Sequence, residues 1–350
     1  MANQTPAEKL KSDLQGLQSS LRDLQSSARL TDLRDRLEDL GGSVSGLDQR
    51  VADLRKKGYA FEKELEVQAA DFVKDWAGIA PGLEQEISRE AAGLARSLAP
   101  LATRLAGLTG DRSAPAAVLP RVERLKTEVD TLEGRIEAVE KNIRGAYDKF
   151  QSDVNQLEYH LGRLEWTLTE LSEASFQLFA AESGIMAVKA VWAKEGKQTK
   201  EDPEGVLYLT DQRILFEQKE KVTTKKVLFV ATEKELVQEL LWEIPVVLVE
   251  EAKSRKAGFL NKDDYLELAL DSRASMDKVH LHIWQRGDDW VALVNRARAG
   301  DFDQTRAIPI DEAVLEGSRT LLQNALPVGE RSTSPSCGVW KPSAASTVGM

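Results

Sequence analysis

The stretch that decides the fold is "EGVLYLTDQRILF", residues 204–216. Two apolar runs, 206–209 and 214–216, are separated by the polar tetrapeptide 210–213. Short apolar runs joined by so brief a polar turn are typical of two antiparallel strands. The sequence therefore predicts a tight β-hairpin in a chain whose first half has a helical pattern throughout.

The hydrophobic period is about two residues from Gly184 onward, which is typical of strands. A helix is predicted at 288–300, with Asp288 as its N-cap, Trp290 on its apolar face and Gly300 at its end. We expect a small barrel of seven antiparallel strands whose open end is closed by this helix. The predicted strands are 185–193, 205–210, 213–218, 225–231, 244–252, 264–270 and 278–284.

The hairpin "GVLYLTDQRILF" resembles the signature of GRAM domains and of the related bacterial pleckstrin-homology-like domains. In that signature a Gly-x-Leu-Tyr-Leu-Thr strand turns through an Asp/Asn dipeptide into an Arg-x-x-Phe strand. "EIPVVLVEEA", residues 243–252, resembles the family's next strand, which Ile-Pro introduces. The resemblance covers residues 184–300. It specifies the fold rather than the function, because the matching residues pack strands and form turns. They are Gly205, Tyr208, Thr210, Arg213, Phe216 and Pro245.

Residues 1–108 carry leucines at heptad spacing, which predicts helices with a coiled-coil seam. Pro81 and Pro100 each remove a backbone donor and clash with the preceding turn. We therefore expect an interrupted coiled coil, with several helices between residues 59 and 108. "TGDRSAPAAVLP", residues 109–120, is predicted to be a linker because of its prolines, glycine and turn-forming residues.

Residues 121–183 are predicted to form one long coiled-coil helix, since apolar residues keep heptad spacing from 122 to 171. So long a seam must be buried, and two alternatives stay open. It packs against a second chain as an oligomerising stalk, or against the earlier helices of this chain. Tyr159 and Trp166 form a second apolar stripe, which favours more than two helices at that point.

Composition argues against several functional classes. The formal net charge is −10 with charges of both signs, which gives no reason to expect a nucleic-acid partner. One cysteine, Cys337, excludes an intramolecular disulfide and a zinc site of several thiolates, and its role stays open. Neither a leader nor a membrane-spanning run is visible. We expect a cytoplasmic protein, or one attached peripherally at the inner face of a membrane.

The sequence shows no catalytic pattern, so we expect a non-enzymatic protein without cofactor or metal. Neither a glycine-rich phosphate loop nor a Ser, His and Asp arrangement is present. His280 and His282 share one strand face and offer two zinc ligands, but no third ligand is evident. Packing on the strand face is therefore the better interpretation of this pair.

Relatives of this fold bind phosphoinositides, other anionic headgroups or protein segments through loops at the open end of the barrel. The resemblance implies a similar role for "AKSRKAGFLNK", residues 252–262, whose basic cluster and apolar tip suit a membrane surface. Its candidate residues are Lys253, Arg255, Lys256, Phe259, Leu260 and Lys262. A secondary loop, residues 193–205, contributes Lys194, Lys197 and Lys200, although its acidic end opposes their field.

These features predict an α+β chain in which a self-associating coiled coil presents a GRAM/PH-like domain to a membrane surface or a protein partner. Such a protein is a scaffold or adaptor and a homo-oligomer. The alternative is a filament or lattice component in which the PH-like domain only caps a rod. A short helical extension is expected at 301–326, and the composition of 327–350 predicts a disordered tail.

Overall fold

In the computed structural model of this protein, the chain folds into two compact units. The helical unit holds the described residues of Met1–Lys57 and Lys63–Arg163, and the β unit holds Gly58–Glu62 and those from Leu164 onward. The predicted succession of a helical region, a seven-stranded antiparallel sheet and a helix after the sheet is confirmed. The structure describes residues 5–227, 230–258, 262–310, 313–314 and 317, without the side chains of 222–227 and 230–235.

The helical unit is built on long helices that share one apolar core. Lys9 pairs with Glu123 near the start of the fourth helix, at 3.2 Å. Further along that helix, Arg50 donates to the carbonyl of Glu158 at 3.3 Å. The first two helices therefore follow each other in the same direction as the fourth. The bounds are α1 (Pro6–Ser27), α2 (Thr31–Lys56), α3 (Leu65–Thr109) and α4 (Pro115–Glu173).

Helix α3 runs antiparallel to α4, since Arg104 near its end pairs with Glu128 near the start of α4 at 2.5 Å. The expectation of several helices between 59 and 108 is wrong, because α3 continues through Pro81 and Pro100. Both prolines lie on the exposed side of the helix, where solvent has access to the carbonyl groups that they leave free. The turn between α3 and α4 is also shorter than the predicted linker 109–120.

The heptad seam of α4 is buried within this single chain. Its residues pack against the apolar faces of α1, α2 and α3 in one continuous core. Of the two alternatives that the sequence left open, the structure therefore has the seam folded against earlier helices. Coiled-coil pairing with a second chain stays a prediction. The buried α4 residues of this core are Val118, Val122, Leu125, Val129, Leu132, Ile136, Ile143, Tyr147 and Val154.

The β unit is a single antiparallel sheet with the strand order β4-β3-β2-β1-β7-β6-β5. Helix α5 follows the last strand, and its buried face includes Trp290, Val294 and Ala297. Gly300 ends it in the left-handed conformation, as predicted. The bounds are β1 (Gly184–Trp192), β2 (Glu204–Thr210), β3 (Arg213–Val227), β4 (Val230–Pro245), β5 (Val249–Ala257), β6 (Asp263–Leu270), β7 (Lys278–Ile283), α5 (Gly287–Ala299) and α6 (Asp301–Gln304).

The middle of the sheet differs from the predicted strands, although their number is confirmed. The predicted strand 225–231 does not exist as such, because β3 runs on to Val227 and β4 starts at Val230. A short 3-10 turn, Val246–Leu248, interrupts the predicted strand 244–252. The N-cap of α5 is Arg286 instead of Asp288, and the carboxylate of Asp264 accepts from the first N–H of α5.

The last turns of α4 belong to the β unit, whose second stretch begins at Leu164 instead of the predicted residue 184. Thr167 is fully buried, and its hydroxyl accepts a hydrogen bond from the backbone N–H of Ala187 in β1 at 2.9 Å. Apolar residues on both sides of the helix end pack on the hairpin, Trp166 and Leu171 among them. Helix α4 ends at Glu173, so the predicted helix 121–183 is too long at its end.

The turn of the hairpin is held by a buried polar cluster. The hydroxyl of Thr210 accepts from the N–H groups of Gln212 (3.1 Å) and Arg213 (2.7 Å). It also donates to the carboxylate of Glu182 at 2.6 Å. Arg213 pairs with that same carboxylate at 2.5 Å and with Glu243. Thr210 and Arg213 thus fix the hairpin turn by hydrogen bonds and ion pairs.

The segment Gly58–Glu62 is a strap that packs inside the β unit. Tyr59 and Phe61 are fully buried, and the carbonyl of Ala60 accepts from the N–H of Ala307 at 2.8 Å. The ring of Phe61 lies 5.4 Å from that of Phe302. The β unit is therefore assembled from two separate stretches of the chain.

Arg306 ties the end of the described chain to the hairpin turn. Its guanidinium pairs with Asp211 and lies 4.7 Å from the ring centre of Phe61. The Asp211 carboxylate also accepts from the backbone N–H of Ser183 at 2.8 Å. Burial raises the pKa of Asp211 to about 6, although the Ser183 N–H and Arg306 both oppose that shift.

Candidate functional site

The two loops proposed from the sequence come together in the structure. Residues 193–203, which connect β1 to β2, lie across the outer face of β5, β6 and β7. The guanidinium of Arg255 donates to the carbonyl of Gly196 at 2.9 Å. The backbone N–H of Gln198 donates to the hydroxyl of Tyr265 at 3.4 Å. Both contacts place the secondary loop against the strands that carry the first candidate residues.

The first candidate segment is largely a strand and not a loop, which corrects the expectation from the sequence. Lys253, Arg255 and Lys256 lie on β5, because this stretch pairs residue by residue with β6. Lys262 is exposed just before β6. Phe259 and Leu260 lie outside the described residues, as do Cys337 and the predicted tail.

Each of the three basic residues on β5 has an acidic partner. Lys253 pairs with Glu251 at 2.7 Å, and Lys256 pairs with Asp264 at 2.6 Å. Arg255 pairs with Glu267 at 2.6 Å. The hydrogen bond from Arg255 keeps the pKa of the Glu267 carboxyl below its ordinary value, so this pair is charged at neutral pH. β5 thus presents alternating charges and not a purely basic patch.

An open cleft of about 700 Å³ lies between the secondary loop and the β5–β6 hairpin. Lys197 and Lys200 line it on the loop side, and both side chains are exposed. Within the described ranges neither lysine has an ion-pair partner. The opposite side carries Arg255, Tyr265 and the carboxylate of Asp263. The further lining residues are Gln198, Thr199, Glu204, Ala257 and Gly258.

The chemistry of this cleft suits binding of an anion. Lys197 and Lys200 offer mobile ammonium groups, while Arg255 is engaged with Glu267. The lining has three cationic groups against the carboxylates of Glu204 and Asp263, an excess of one that includes the paired Arg255. Lys194, the remaining predicted lysine, lies instead with its ammonium 4.5 Å from the ring centre of Trp192.

The two histidines of β7 contact groups on neighbouring elements. His280 lies 3.6 Å from the carboxylate of Glu267. Nδ1 of His282 donates to the side-chain oxygen of Gln198 at 2.5 Å, since an amide oxygen can only accept. Burial lowers the pKa of His282, so its imidazole is neutral at pH 7. No cluster of three or more potential metal ligands occurs among the residues that the structure describes.

A row of planar groups in contact with one another crosses the same outer face. Arg255 lies 4.5 Å from the ring centre of Tyr265, and Tyr265 lies 5.1 Å from His282. Trp284 follows at 4.6 Å from His282, and 55% of its surface is exposed. Reasoning from sequence missed Tyr265 and Trp284. The available signal was their spacing, since alternate residues of β6 and β7 place both rings on the face that carries Arg255.

No helix in the described part of the chain is long and apolar enough to span a bilayer.

Comparison with known proteins identifies no family. No protein-family model matches the sequence, and no curated protein matches it. Among solved structures, the chain is similar to a pleckstrin homology domain from Shewanella amazonensis SB2B, at 17% identity and a TM-score of 0.22. The match covers 37% of this chain and 94% of that domain.

Further solved structures are similar at comparable levels. A DUF1696 family protein with a pleckstrin-homology domain from Shewanella loihica PV-4 matches at 14% identity and a TM-score of 0.20, over 36% of this chain and 82% of that chain. The DH/PH domains of p115-RhoGEF match at 13% identity and a TM-score of 0.22, over 85% of this chain and 95% of that chain. These TM-scores are too low to carry an argument, so the architecture rests on the strand order and helices described above.

Proposed function

We propose that this chain is a non-enzymatic adaptor whose β unit binds an anionic membrane surface through the cleft between the β1–β2 loop and the β5–β6 hairpin. The observation that carries this proposal is the convergence of Lys197 and Lys200 on one open cleft. Exposed ammonium groups suit phosphate-bearing headgroups, because each lysine near an anionic bilayer contributes about 1 kcal/mol. The resemblance of the 205–216 hairpin to GRAM and bacterial PH-like domains supports the same reading.

The helical unit is the scaffold part of this proposal. Its seam is already buried within one chain. Self-association, which the sequence predicts, would therefore have to use exposed faces of the helices. The competing proposal of a filament or lattice component predicts long particles whose length grows with protein concentration, and light scattering distinguishes it from a discrete adaptor.

A protein partner on the same surface is the second candidate function. It is favoured by the alternating charges of β5, where Lys253 and Lys256 face Glu251 and Asp264. Such a mixed surface attracts a bilayer less than a purely basic one, and it can exchange ion pairs with a partner of matching charge pattern.

Co-sedimentation of the full chain with vesicles tests the proposal. We expect binding to vesicles that contain an anionic phospholipid, none to purely zwitterionic vesicles, and weakening of the binding as salt is raised. Lys197→Gln/Lys200→Gln should lose about 2 kcal/mol, roughly thirtyfold in affinity. A matched control, Lys126→Gln/Lys141→Gln, makes the same charge change on exposed positions of α4 and should bind like the unmodified chain.

Two results contradict the proposal. Failure of the unmodified chain to bind at any anionic lipid content removes the membrane function and leaves the protein partner. Equal losses in the cleft variant and the α4 control show that the binding follows net charge and not the cleft.

A further inference from the structure

We propose that Trp284 is the apolar anchor of the membrane-binding surface: its indole enters the interfacial layer of an anionic bilayer while the lysines of the cleft contact the headgroups. This inference rests on the proposed function and adds a second, salt-insensitive element to it. Its basis is the exposure of Trp284, its rigid support and its connection to the cleft.

Trp284 differs in exposure from the tryptophans of the strands and of α5. Trp192, Trp242 and Trp290 are buried in its core, with at most 5% of their surface accessible. Trp284 leaves 55% accessible at the end of β7. An indole carries a large apolar surface and one N–H donor, a combination that favours the boundary between headgroups and acyl chains.

The indole is held on a rigid support. Its ring contacts that of His282 at a tilt of 36°, with the ring centres 4.6 Å apart, and His282 stacks in turn on Tyr265. The backbone N–H of Trp284 donates to the carbonyl of Lys189 in β1 at 3.2 Å, so the residue continues the sheet. An anchor fixed in this way loses little conformational entropy when it enters a bilayer.

The same row of rings connects Trp284 to the lysines of the cleft. His282, which the indole contacts, donates to the side chain of Gln198 at 2.5 Å. Gln198 lies next to Lys197 in the loop that lines the cleft. Lys189 of β1 is exposed and lies beside Trp284. An apolar ring flanked by ammonium groups is complementary to an anionic lipid surface, which supplies both an apolar layer and negative charge.

The test compares two variants of the full chain on vesicles of anionic and zwitterionic phospholipid. Trp284→Ala should weaken binding about tenfold or more, because an indole buries roughly 100 Å² or more of apolar surface on insertion. The salt dependence of the remaining binding should be unchanged. Lys197→Gln/Lys200→Gln should instead reduce the salt dependence. Val247→Ala, which trims another exposed apolar side chain of the β unit, is the matched control and should bind normally.

Fluorescence quenching by brominated phospholipid gives an independent readout. Tryptophan emission of the unmodified chain should be quenched on binding, and Trp284→Phe, which keeps a ring for stacking, should lose most of that quenching. Normal binding by Trp284→Ala, or equal quenching in Trp284→Phe, overturns the anchor and leaves the membrane function standing. Failure of the unmodified chain to bind any vesicle overturns both proposals.

Discussion

Replacing Arg213 by methionine tests the buried cluster that holds the hairpin turn. The side chain of Arg213 is 4% exposed, and that of its partner Glu182 is fully buried. The guanidinium contacts this carboxylate through Nε at 2.9 Å and Nη2 at 2.5 Å. Without it, the donors that remain to Glu182 among the described residues are the Thr210 hydroxyl and the backbone N–H of Phe179.

The size of the expected loss of stability follows from the isolation of the Glu182 carboxylate. Removing one member of a buried ion pair leaves an uncompensated charge and typically costs about 3–5 kcal/mol. Glu243, the second partner of Arg213, is 21% exposed and can be hydrated, so it adds less. We therefore expect Arg213→Met to lower the free energy of unfolding of the β unit by about 3–5 kcal/mol. Adding Glu182→Gln to it should recover much of the loss, because the stranded charge is then removed.

Urea unfolding of the full chain provides the assay. In a Trp76→Phe background, which removes the indole of α3, tryptophan fluorescence follows the β unit, where Trp192, Trp242 and Trp290 are buried. Circular dichroism at 222 nm follows the helices. Arg89→Met removes an exposed guanidinium from α3 and should cost less than about 1 kcal/mol. A loss below about 1 kcal/mol for Arg213→Met, or a double variant no more stable than the single one, would refute this reasoning.

Further outcomes are expected in the β unit. Gly205→Ala should destabilise it by more than about 2 kcal/mol in urea, because the new Cβ would lie 1.9 Å from the carbonyl oxygen of Glu217. A carbon-13 NMR titration should give Asp211 a pKa of about 6, above its ordinary value of 3.8, because the carboxyl group is buried. The stability that the protonated Asp211 carboxyl contributes to the fold is then complete below pH 3.8 and is lost as the pH rises through 6. A measured pKa at or below 3.8 contradicts this. Thr167→Val, nearly equal in shape, should cost about 1–3 kcal/mol by leaving the buried N–H of Ala187 without its acceptor, and an unchanged unfolding midpoint would speak against that role.

The periodic parts of the helical unit could be predicted from sequence, but its long-range packing could not. Heptad spacing correctly placed the apolar face of α4, because a helix repeats every 3.6 residues whatever covers it. The partner of that face depends on residues far apart in the chain. Gly41 illustrates this: taken alone it weakens a helix by about 1 kcal/mol. In the structure a Cβ there would lie 3.0 Å from the indole of Trp76, so the missing side chain makes room for this ring.

In the β unit, local chemistry predicted the hairpin turn and the end of α5 but not β4. The turn and Gly300 depend on contacts between near neighbours, which a sequence displays directly. Residues 233–243 of β4 are rich in Glu and Leu, which favour helix, and only pairing with β3 makes them a strand. The cleft could not be predicted either, since it requires the β1–β2 loop to fold over β6 and bring Gln198 to Tyr265.

The strap formed by Gly58–Glu62 has a consequence for the order of folding. Ala60 leaves the ribosome long before Phe302 and Ala307, the residues that contact this strap in the folded chain. The apolar surfaces of Tyr59 and Phe61 therefore lack these contacts until those residues are made. Closing so long a loop is slow compared with forming local helices. Completion of the β unit thus has to wait for its second stretch, and until then the nascent strap exposes apolar surface that a chaperone can protect.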